Sequence, residues 1–159
     1  MQEMIDVNKF SIGATAAILT SMGVIAGLTQ GMDTKVGIIS GLLIIAIADN
    51  ISDSFSIHIY SESEGASDKE VQISTFGNFA VRFILVLTFA LIVLNFSPNT
   101  ALIISSLWGL TLLTIISYRI ALRRKINPVR GTVWHLVVAF LVIAGSKLLG
   151  SFILKIVTH

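Results

Sequence analysis

The stretch VGIISGLLIIAIADNISDSFSIHIYSESE, Val36 to Glu64, decides how this chain folds. It opens as an unbroken apolar run, turns polar from Asp49 onward, and never alternates in the two-residue rhythm of a strand. A membrane-crossing helix needs roughly 20 mostly apolar residues, and the segment from Val36 to about Tyr60 supplies them. Before it lies a first apolar run, Phe10 to Leu28, closed by a polar break from Thr29 to Lys35 that contains the turn residues Gly31 and Asp33. After it comes a hydrophilic link, SESEGASDKEVQ, from Ser61 to Gln72, and a third run from Ile73 to Phe96. Ser97-Pro98-Asn99 then makes a tight turn, because proline fixes φ and cannot continue a helix. A fourth run, Thr100 to Tyr118, leads into the basic stretch RIALRRKINPVR, and a fifth covers Thr132 to Val157. Only helices or closed barrels satisfy their backbone groups in lipid, and no barrel-like alternation is present. The expectation is an all-α, polytopic bundle of about five transmembrane helices. It forms one transmembrane domain over residues 1–159, with spans near 10–28, 36–60, 73–96, 100–118 and 132–157.

Composition agrees. The 159 residues are 54% hydrophobic and 13% charged, with a mean hydropathy of +0.88; soluble domains carry about 25% charge. The net charge of +2 and pI near 9.2 do not point to nucleic acid, because the basic residues gather at the ends of the apolar runs. There is no cysteine, which excludes disulfides and thiolate metal sites. Glu3 and Asp6 stand where a cleavable leader would be basic, so no signal peptide is expected. Walker-type loops, paired-histidine zinc motifs and elbow-type serine motifs are missing from the sequence, and no enzymatic activity is expected.

With five spans, Lys9, Lys69, Arg119, Arg123, Arg124, Lys125 and Arg130 share one side, and Lys35 and Lys155 the other. The positive-inside rule then puts the N-terminus in the cytoplasm and the C-terminus outside a cell membrane crossed several times. Small residues four apart, Gly23/Gly27, Gly37/Gly41 and Ser146/Gly150, fit close helix contact, either within one subunit or at a homodimer seam.

The residues that carry function are the polar ones in the second span. Asp49 and Asp53 share a helix face, with Ser52, Ser56 and Tyr60 following at helical spacing and Asn50 and Ser54 on an adjoining stripe. A carboxylate inside a bilayer costs roughly 2.5–3.5 kcal/mol on insertion scales and marks a functional site by default. Such a stripe of oxygens suits a divalent cation or a proton relay, with Asp49, Asp53, Asn50, Ser52, Ser56 and His58 along an ion pathway and Glu62 and Glu64 at its cytoplasmic entrance. A purely structural arrangement is equally concrete: Arg82 in the third span matches Asp53 in depth, and Lys147 in the fifth pairs with Asp49. That reading makes the chain a non-transporting membrane scaffold with internally paired charges.

Two stretches resemble the vacuolar iron transporter family of Fe/Mn exporters. GATAAILTSMGVIAGL, Gly13 to Leu28, looks like that family's first helix, and GLLIIAIADNISDSFSIHIYSESE, Gly41 to Glu64, like its second, with the ADNISDS…HIY pattern nearest a divergent small prokaryotic branch. The resemblance implies a five-span secondary transporter, Fe2+ or Mn2+ as substrate rather than a permanently bound cofactor, Asp49 as a pore carboxylate and a homodimer. There are departures. Ala16 and Ala17 stand where the family has an Asp-Gly pair, Ile57 or Asp53 lies nearest its membrane methionine, and its large metal-holding cytoplasmic insert is reduced to Ser61–Gln72.

Overall fold

The structure, a computed structural model, describes residues 2–31 and 35–157, with side chains from residue 11 onward. Asp33, His159 and the side chains of Glu3, Asp6 and Lys9 lie outside the described residues. Five helices follow one another: α1 (Gln2–Leu28), α2 (Lys35–Ser63), α3 (Asp68–Asn95), α4 (Pro98–Arg123) and α5 (Pro128–Val157). Each is long and apolar enough to cross a membrane.

The helices run past the apolar segments because their polar ends carry local stop and start signals. α2 ends on Gly65, whose φ of +71° is the left-handed conformation glycine adopts freely. The Ala66 N–H reaches back to the Ser61 carbonyl at 3.1 Å and the Gly65 N–H to that of Glu62 at 3.0 Å, the paired bonds of a Schellman cap. α3 starts at Asp68 rather than Ile73, because the Glu70 carboxylate accepts from the Ser67 N–H (2.9 Å) and hydroxyl (2.8 Å). α4 continues beyond Tyr118 through Arg123 and closes with the same pair of bonds, Ile126 to Ala121 and Lys125 to Leu122. There Lys125, not glycine, holds the left-handed position at φ 52°. Asn127 then accepts from the N–H groups of Val129 and Arg130, and Pro128 opens α5.

Side-chain contacts define how the helices lie. Ser61 meets Ser74, Ser54 meets Asn78 and Asn50 meets Arg82, so α2 and α3 are antiparallel. Gly23 packs on Ser146 and Gly27 on Gly150, so α1 and α5 are parallel. α1 is the central helix, packed against all four others. Its Ile18, Met22 and Ile25 are buried with Leu42, Val86, Phe89 and Leu113 in the core. The short connections place the N-terminal ends of α1, α3 and α5 on one side with Lys69, Arg119, Arg123, Arg124, Lys125 and Arg130, opposite Lys35 and Lys155.

The small-residue pairs in α1 and α5 serve the chain's own packing. A Cβ on Gly150 would stand 2.2 Å from the Gly27 carbonyl oxygen, and one on Gly23 3.0 Å from Ser146 Oγ. Gly41 lies against Leu28 and Val24 of α1. Between α2 and α5, with α1 at its base, runs an apolar groove of about 910 Å³ lined by Gly23, Gly27, Ile44, Ile45, Leu149 and Ile153 among others.

Candidate functional site

Arg82 lies near the midpoint of α3 and is 1% exposed. A cation taken this far from water needs partners on every side, and the neighbouring helices supply them. Its Nη2 donates to Asp49 Oδ2 at 2.6 Å, its Nη1 pairs with Asp53 Oδ2, and its Nε donates to Asn50 Oδ1 at 2.8 Å. A longer contact of 3.5 Å runs from Nη1 to the Gly13 carbonyl on α1. Asp49 and Asp53 are one helical turn apart on α2, so the two carboxylates grip the two terminal nitrogens of one guanidinium. Gly13 makes the close approach of α1 workable: a Cβ there would lie 1.8 Å from Asn78 Oδ1 and 3.4 Å from Arg82 Cδ.

The two carboxylates differ from their partner in exposure. Their side chains are 42% and 44% exposed in the isolated chain, against 1% for Arg82. Asp49 lies one turn beyond Ile45, which lines the groove between α2 and α5.

From Arg82 a polar seam continues between α2 and α3 toward the N-terminal end of α3. One turn along, Asn78 Nδ2 donates to Ser54 Oγ at 3.2 Å. Further on, the Ser74 hydroxyl lies within hydrogen-bond reach of the Glu70 and Val71 carbonyls and 3.2 Å from Ser61 Oγ. Beside it the Thr75 hydroxyl donates to the Val71 carbonyl at 2.7 Å. His58 Nδ1 lies 3.2 Å from the Thr75 oxygen, and its Nε2 lies 3.4 Å from Glu62 Oε1.

The sequence expectations divide accordingly. Asp49, Asp53, Asn50 and Arg82 are brought together, and the pairing of Asp53 with Arg82 is present. The pairing of Lys147 with Asp49 is not: Asp49 is taken by Arg82, and Lys147 is exposed on the outer side of α5. Ser52 and Ser56 do not join the site either. They are exposed, and the Ser56 hydroxyl returns to the Ser52 carbonyl at 3.0 Å. The buried face of α2 is instead the adjoining stripe, Asn50, Ser54 and Ser61. His58, Glu62 and Glu64 lie at the end of the seam, well apart from Arg82, with Glu64 exposed. Among the described residues no group of three or more His, Asp or Glu side chains is placed to hold a metal ion. Asn78, Ser74, Thr75 and Gly13 were missed. The signal for Ser74 and Asn78 was their four-residue spacing with Arg82 on α3, which matches the spacing of Asn50 and Ser54 on α2.

No protein-family model matches the chain, and no curated protein matches it.

Proposed function

We propose that this protein is a secondary transporter of a cation in the cell membrane, and that Asp49 and Asp53 around Arg82 are its exchange site. The observation that carries the reading is the charge balance of the cluster. Two half-exposed carboxylates share one buried guanidinium, so with both ionised the centre holds one negative charge more than Arg82 neutralises. In a bilayer such a surplus attracts a proton or a metal cation from whichever side has access. The resemblance to Fe/Mn exporters makes Fe2+ or Mn2+ the proposed substrate. Two carboxylates fall short of the six or more oxygen positions a hard divalent ion takes, so water or a second copy of the chain supplies the rest. The basic residues at the N-terminal ends of α3 and α5 and at the C-terminal end of α4 put that side in the cytoplasm under the positive-inside rule.

The test is flux in reconstituted liposomes, with a panel of divalent metals, with and without a pH gradient. Asp49→Asn and Asp53→Asn are expected to abolish flux while leaving the protein monodisperse. Undiminished flux in both variants sinks the proposal. One observation favours a second reading, a non-transporting scaffold: all three guanidinium nitrogens of Arg82 already have partners within the chain. On that reading wild-type liposomes show no flux, and exchanging the charges of Asp53 and Arg82 restores the stability that each single reversal loses.

A further inference from the structure

Two side-chain atoms in the α2–α3 seam have no hydrogen-bond partner although their residues are fully buried: Asn50 Nδ2 and Asn78 Oδ1. One is a donor and the other an acceptor. Their positions are locked by their other ends, since Asn50 Oδ1 accepts from Arg82 Nε and Asn78 Nδ2 donates to Ser54 Oγ. Because Asn50 and Ser54 are one turn apart on α2, and Asn78 and Arg82 one turn apart on α3, the four residues form the corners of one patch. The unpartnered donor and acceptor belong to diagonal corners of it. Arg82 adds to the demand, since a guanidinium carries five N–H donors and four acceptor contacts are accounted for here. At this level Asn78 Oδ1 occupies the place that a side chain on Gly13 would take.

We propose that the α2–α3 seam binds one internal water, which accepts from Asn50 Nδ2 and donates to Asn78 Oδ1. Buried waters are held by two to four such otherwise unsatisfied groups, and a single molecule answers a donor and an acceptor together. The water joins the Ser54–Asn78 pair to the Asn50–Arg82 pair, so that these four residues form one hydrogen-bonded network. The centre that holds Asp49 and Asp53 is thereby hydrated from the α2–α3 side, independently of the groove toward α5. This site requires no transported ion, so it stands or falls apart from the function proposed above.

Water-edited solid-state NMR on the full chain in lipid bilayers, with 15N-labelled asparagine, reads it directly. The side-chain amides of Asn50 and Asn78 are assigned by their disappearance in Asn50→Leu and Asn78→Leu. Transfer from water to the buried Asn50 amide is expected to approach that at the exposed Asn99, and to fall several-fold in Asn78→Leu. A dry seam, closed by a direct Asn50–Asn78 hydrogen bond, gives no transfer at Asn50 and overturns the proposal. Transfer that persists unchanged in Asn78→Leu overturns it as well, because the water then does not bridge the two residues. If Asn78→Leu does not fold, Asn78→Ala takes its place, and the wild-type spectrum already decides between a wet and a dry seam.

Discussion

Replacing Arg82 with methionine keeps most of the side chain's length and removes its charge, stranding Asp49 and Asp53 beside each other. Removing one partner of a buried ion pair costs about 3–5 kcal/mol. Because the two carboxylates are 42% and 44% exposed, the lower end, about 3 kcal/mol, applies. Losing the 2.8 Å bond to Asn50 adds about 1 kcal/mol. The total of about 4 kcal/mol corresponds to a shift of roughly a thousandfold in the folding equilibrium. It is measured by titrating the protein in mixed micelles with SDS and following the fluorescence of Trp108 and Trp134. The triple variant Arg82→Met, Asp49→Asn, Asp53→Asn carries no stranded charge and is expected to regain at least half of the loss. A loss below about 1 kcal/mol in the single variant, or a triple variant no more stable than the single one, refutes the central role given to the Arg82 cluster.

Gly150→Ala places a Cβ 2.2 Å from a backbone oxygen that cannot rotate away, so α5 must shift, at about 1–3 kcal/mol. Gly109→Ala meets the flexible Met22 thioether at 2.3 Å instead and is expected to lose less than about 1 kcal/mol; the same SDS titration compares the two. Lys125→Gly relieves a left-handed lysine and is expected to raise stability by about 1 kcal/mol in thermal unfolding. The chain has no cysteine, so Ala66→Cys and Asn99→Cys each introduce a single thiol, and an impermeant maleimide is expected to label them from opposite faces, Ala66→Cys from the cytoplasm.

The number, order and approximate limits of the helices were legible because each apolar run is long and is closed by glycine, proline or a charge cluster. The limits were drawn too tight where hydropathy ends before the helix does, as at Asp68, where the Ser67–Glu70 cap starts α3 in a polar segment. The pairing of Asp53 with Arg82 was legible from depth alone. Which face of α2 turns inward was not. Asp49, Asp53 and Ser56 make one polar stripe and Asn50, Ser54 and Ser61 another, and periodicity ranks neither above the other. The choice rests on α3, where Ser74, Asn78 and Arg82 need partners along one line and α1 meets Asn78 and Arg82 through Gly13, which has no side chain to offer. Lys147 was misassigned for a related reason. Depth along a helix says nothing of direction around it, and Lys147 points away from α1, on which Ser146 and Gly150 are packed.

Among the described residues, every partner of Arg82 lies on α1 or α2, helices that leave the ribosome before it does. When α2 emerges, its two aspartates have no cation to meet, and each resists entry into lipid by roughly 2.5–3.5 kcal/mol. The link to α3, Glu64–Ser67, is short, and Arg82 follows about half a helix later. The chain is therefore built to enter the bilayer as a hairpin, with α2 held at the insertion machinery until α3 arrives. α4 and α5 follow α3 in the chain, and the seating of Gly150 on Gly27 joins α5 to α1.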